Sequence, residues 1–226
     1  MLNTAPEHPF PIGHNDAYES LKWAVTNCAS LNASPSLGLI VGGNSAGGNL
    51  AASVALRARD DPFFSEQPVT GQLLQVPQTV QPNASIPEKY KSVSQSWTEN
   101  AHAPLLSRRD LDTVIDCLKA DPNDPRLSVL LATSHAGLPP AVLQIASADP
   151  LRDEGLAYEK ALKDAGVKTK LEFAFDGKVA KLKYFVVTSY PGFPHGGHYV
   201  MPRAALSQRF YQDFEHGLEW LLQRIE

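Results

Sequence analysis

The sequence predicts an α/β domain in which a mainly parallel sheet is flanked by helices. Three observations carry that expectation. Residues 37–41 form a short, wholly apolar run, as in a parallel strand buried on both faces. Other segments place apolar residues at helical spacing. Strand and helix candidates alternate along the chain, as a parallel sheet with helical crossovers requires.

Taken in order, residues 15–29 read as a helix, with Ala17, Leu21, Ala24, Val25 and Cys28 on one face and Asp16 and Glu19 spaced like a capping box. The strand at 37–41 leads into an alanine- and leucine-rich helix at 46–59. Residues 71–76 and 141–146 are further strands. Between them, residues 81–136 break the rhythm: the segment is polar, contains Trp97, and holds one helix near 111–120. It reads as an insertion covering the C-terminal edge of the sheet. Residues 152–165 form a helix with Gly166 just past its end, and 170–175 a strand. Phe210, Phe214, Leu218, Leu221 and Ile225 recur at helical spacing, so the chain closes on an amphipathic helix. Residues 1–226 form one domain.

A net charge of −4 gives no reason to expect nucleic acid or an anionic membrane as partner. Cys28 and Cys117 make neither a disulfide framework nor a metal spacing and read as buried, reduced thiols. The N-terminus shows no basic segment followed by an apolar run, and no window approaches a membrane span. Two glycosylation sequons, at Asn32 and Asn83, read as chance matches. The expectation is a cytoplasmic protein.

Gly43-Asn44-Ser45-Ala46-Gly47 has a strand before it and a helix after it, the context that gives a G-x-S-x-G motif meaning. A serine at the apex of such a turn needs an unusual backbone, and flanking glycines let neighbouring elements come close. The turn exposes the hydroxyl and leaves the Ala46 N–H at a helix N-terminus, where an oxyanion would form. A phosphate-binding loop is the rival, but no Walker lysine or G-x-G-x-x-G pattern is present. A serine nucleophile needs a base, and the base an orienting carboxylate. Among His102, His135, His195, His198 and His216, His195 stands out, in a Pro/Gly-rich loop after the last strand candidate; His198 is its near rival. Asp149 directly follows the 141–146 strand, on the same edge as Ser45, whereas Asp153 and Glu154 suit the first helical turn.

"PEHPFP", "GNSAGGNLAA", "DPLRDEG" and "YPGFPHG", in that order, resemble the hormone-sensitive-lipase-like esterases of the α/β-hydrolase fold. The resemblance covers nearly all of the chain. It implies a partial α/β-hydrolase fold with a cap-like insertion, Ser45 as nucleophile, Asp149 as acid, His195 as base, a structural Glu154, and cleavage of small carboxylic esters without cofactor or metal. By analogy it implies a place in secondary metabolism. The sequence departs from the family in three ways. The H-G-G-G loop that supplies oxyanion amides upstream of "PEHPFP" is absent, and with it about half the expected sheet, which would leave the 37–41 strand at an edge. Residues 177–189 are extra, either a translated intron or a genuine additional strand. Asn44 and Gly197 stand where aspartate and phenylalanine are usual. Two further functions stay open: a weakly active or non-catalytic relative serving as a binding module, and an acyltransferase using the same triad.

Overall fold

The computed structural model describes residues 3–172, 181–182, 185–186 and 190–223. Its main sheet is parallel. The strands are β1 (Ile40–Asn44), β2 (Gly71–Gln75), β3 (Ala141–Gln144) and, past the short β4 (Ala146–Ala148), β5 (Thr169–Glu172), in the order β1-β2-β3-β5. Ile40 pairs with Gly71, Leu73 with Val142, and Val142 with Lys170. The period of two along each strand sorts side chains to two buried faces. Leu74 and Leu143 join a core with helices α1 (Ile12–Thr26), α2 (Ala46–Asp60) and the later α5 (Arg152–Asp164). Leu73 and Val142 point the other way, onto Leu221 of the C-terminal helix. Each of these leucines and valines is at most 3% exposed, so each contributes about 1.5–3 kcal/mol through burial.

Residues 81–136 hold two helices, α3 (Ser94–Glu99) and α4 (Arg108–Leu118), where the sequence predicts one. Trp97 is buried, and α4 opens on a capping box between Ser107 and Asp110. The chain ends in β6 (Lys181–Leu182), β7 (Phe185–Val186), β8 (Tyr190–Pro194), α6 (Gly197–Val200) and α7 (Ala205–Leu222). β6 and β7 pair antiparallel. Most of residues 177–189, residues 173–175 of the expected last strand, and Ile225 lie outside the described residues.

Four sequence expectations need correction. Pro35–Leu37 form a 3₁₀ turn that ends at Gly38 with φ 124°, so β1 starts at Ile40 and runs through the glycines, leaving Leu37 74% exposed. β1 is also not buried on both faces along its length, since Gly42 is exposed, although its place at the edge of the described sheet is the one expected. The 141–146 run is two strands, because the chain leaves the main sheet at Ile145 and Ala146–Ala148 pairs with β8 instead. Helix α1 begins at Ile12 behind Pro11. Asp16 therefore lies inside the helix and caps nothing, accepting instead from the Asn3 backbone N–H at 2.8 Å and Nδ2 at 2.9 Å.

Gln144 joins the two sheets. Its Oε1 accepts from Gln75 at 2.7 Å, and its Nε2 donates to the Tyr190 hydroxyl at 3.0 Å and the Phe210 carbonyl at 2.8 Å. Tyr190 in turn donates to Asp213 of α7 at 2.8 Å. β8 is thereby hung on the main sheet by buried polar side chains.

Candidate active site

Ser45 is the single residue between β1 and α2, with φ 55° and ψ −116°, a conformation that side chains rarely adopt. Its N–H donates to the Gln75 carbonyl at 2.8 Å and its own carbonyl accepts from Asn49 N–H at 3.0 Å, which hold the turn. The two outer glycines of the motif are not equivalent. A Cβ at Gly43 would lie 2.3 Å from the Gly47 carbonyl, whereas a Cβ at Gly47 would meet open space. Ala46 is the first residue of α2, so its N–H is among those without an intrahelical acceptor.

Asp149 follows β4 and is 1% exposed. Its Oδ1 accepts from Leu151 N–H at 2.8 Å, which fixes the carboxylate in its turn. His195 follows β8. Its Nδ1 lies 2.7 Å from Asp149 Oδ2 and its Nε2 lies 2.8 Å from Ser45 Oγ. An ionised carboxylate only accepts, so Nδ1 carries the hydrogen and Nε2 presents a lone pair to the serine hydroxyl. Serine, imidazole and carboxylate thus form one continuous chain of hydrogen bonds.

The other histidines lie elsewhere. His102 and His216 are exposed, and His135 bonds the Val129 carbonyl at 3.0 Å. His198 is buried and stacked on Phe210 at 4.4 Å, with Nε2 3.4 Å from the Asn44 amide. Burial, helped by repulsion from His195, pushes its pKa down to about 4, so it stays neutral.

Asp153 and Glu154 sit in the first turn of α5, as expected, where their charge or dipole faces the helix N-terminus, but neither side chain caps it. Asp153 accepts from Ser96 N–H at 2.8 Å. Glu154 is fully buried, accepting from Thr79 N–H at 2.7 Å and Trp97 Nε1 at 2.9 Å. Burial raises its pKa to about 8 against the opposing pull of those donors. The two side chains pin α3 and the loop after β2 to the first turn of α5, just past Asp149.

Sequence reasoning missed the pair formed by His14 and Asn49, whose ring Nε2 and side-chain oxygen are 2.9 Å apart. With Ala46, both line a cavity of about 330 Å³ walled partly by α4. Nothing in their spacing marks them, since they meet only when α1 docks on α2. Cys28 and Cys117 are free and partly buried. Among the described residues no cluster of His, Cys, Asp or Glu has the makings of a metal site, and no helix is long and apolar enough to cross a membrane.

A family model described as the alpha/beta hydrolase fold matches residues 2–177. An AB hydrolase superfamily protein of Schizosaccharomyces pombe is 35% identical over 98% of this chain and 60% of its own length. The versiconal hemiacetal acetate esterase of Dothistroma septosporum is 31% identical over 98% of this chain and 62% of its own. Among solved structures, vibralactone cyclase superposes with a TM-score of 0.89 at 40% identity, over 100% of this chain and 61% of that one. The chain thus spans about 60% of the length of these relatives.

Proposed function

Because the chain belongs to the α/β-hydrolase fold family, as its hormone-sensitive-lipase-like motifs imply, we propose that it cleaves carboxylic esters with Ser45 as nucleophile, His195 as base and Asp149 as the orienting acid. The observation that carries this is the unbroken Asp149–His195–Ser45 relay, at 2.7 and 2.8 Å. His195 Nε2 takes the Ser45 proton as Oγ attacks the ester carbonyl. The Ala46 N–H donates to the developing oxyanion, and Asp149 stabilises the imidazolium. The imidazolium returns its proton to the departing alcohol, and water, activated by the same imidazole, releases the acid. No step calls on a cofactor or metal. Residues 81–136 serve as a cap over the site.

A relative named for an acetate ester makes small acetates the first substrates to try. Ser45→Ala is expected to abolish turnover of p-nitrophenyl acetate and labelling by a fluorophosphonate. Near wild-type turnover in that variant would place the activity elsewhere, and an unlabelled Ser45 in folded protein would favour a binding module. A neighbour named as a cyclase favours a second reading, in which the acyl group passes from Ser45 to a nucleophile other than water. Product analysis with an alcohol in excess separates the two.

A further inference from the structure

The cavity beside Ala46 holds polar groups that ester cleavage does not use. Its walls are mainly apolar, with Phe10, Leu50, Val114, Leu118 and Leu127 among them. His14, Asn49 and Gln78 also line it. Asn49 fixes their arrangement. Its Nδ2 donates to two backbone carbonyls, Gln78 at 2.8 Å and Leu127 at 2.6 Å, so its Oδ1 is the atom 2.9 Å from His14 Nε2. An amide oxygen cannot donate, so His14 Nε2 carries a hydrogen. Burial lowers the His14 pKa and so favours the neutral ring, in which Nδ1 is a bare acceptor. That acceptor has no partner among the described residues. Gln78, 7% exposed, has a buried Nε2 that also lacks one. Asn49 bonds both the His14 ring and the Gln78 backbone carbonyl, so the two residues are held against one side chain.

Taking the hydrolase function as given, we infer that this cavity receives one limb of the ester, apolar along most of its length and carrying a hydroxyl that donates to His14 Nδ1 and accepts from Gln78 Nε2. A hydroxyl is the small group that does both. A carboxylate would set its lone pairs against that of Nδ1. An ammonium would meet neither Asp nor Glu among the lining residues.

The test uses matched esters, with the hydroxyl on the acyl limb in one pair and on the alcohol limb in the other. The first pair is the p-nitrophenyl esters of an ω-hydroxy fatty acid and of its O-methyl ether. The second is the acetates of an alkanediol and of its monomethyl ether. Binding of the intact esters is measured by calorimetry on Ser45→Ala protein, and hydrolysis on the wild type. In one pair the hydroxyl member should bind roughly five- to tenfold more tightly, the worth of one hydrogen bond. His14→Phe should bring that ratio to about one, whereas Gln78→Leu should weaken both members alike, since an ether oxygen still accepts. The ratio compares two ligands on one sample, so partial misfolding of a variant does not disguise it. Equal binding within both pairs overturns the inference, as does a preference that survives His14→Phe. A hydroxyl preference without Ser45-dependent hydrolysis would remove the hydrolase function and leave the cavity's selectivity standing.

Discussion

At Gly43, a close approach of two backbone segments decides what the site tolerates. Gly43→Ala would drive its Cβ into the Gly47 carbonyl, and a cost of about 1–3 kcal/mol or more is expected in denaturant titrations. Gly47→Ala, with open space before it in the first turn of α2, should change stability by less than about 1 kcal/mol. A symmetric motif thus gives an asymmetric result. In the proposed mechanism Asp149→Asn leaves the shape of the relay but reverses the hydrogen on His195, and kcat should fall roughly 10⁴-fold in an ester assay. Ser45, Asp149 and His195 were legible in the sequence because each follows a strand and sits in a recognisable loop. His14 and Asn49 were not, because their meaning lies in a contact across 35 residues that no local pattern encodes.

Between elements, the buried Glu154 is the tie that joins α5, α3 and the loop after β2. Its pKa is raised from 4.5 to about 8, so the folded chain holds a proton that the unfolded chain gives up. The associated stability is complete below about pH 4.5 and is lost as pH rises through about 8. The melting temperature should therefore fall across that interval, and Glu154→Gln should flatten the slope, as a pH series of thermal melts would show. Trp97→Phe keeps the ring but removes the indole donor, and should cost about 1–3 kcal/mol. The helices at 46–60 and 152–164 were legible from composition and end signals. The start of β1 was not, because leucines at 37 and 39 look like strand whether or not Gly38 turns the chain between them. The break at Ile145 was equally hidden, since an apolar run does not say which neighbour each half will pair with.

For the molecule as a whole, β1 stands at the end of the four-stranded order, and among the described residues nothing pairs with its outer side. Open strand edges recruit other edges. The 226-residue chain should therefore self-associate as concentration rises in sedimentation velocity, and Leu37→Lys, at an exposed position just before β1, should reduce that association. The α/β class and the parallel main sheet were legible from the alternation of elements. The second sheet was not, because β4 and β8 are short and far apart in sequence. Its existence divides the relay mechanically. Asp149 follows β4 and His195 follows β8, partners in one two-stranded unit, while Ser45 follows β1 in the other sheet. The proposed acid and base ride together on one mount, and the proposed nucleophile is on another. The relay has a single joint, between imidazole and hydroxyl, so a strain that shifts one sheet against the other opens that gap and leaves the carboxylate–imidazole bond intact. In proton NMR a strongly deshielded His195 Nδ1 resonance is expected, and it should survive Ser45→Ala, the carboxylate–imidazole partnership outlasting the loss of the hydroxyl beside it.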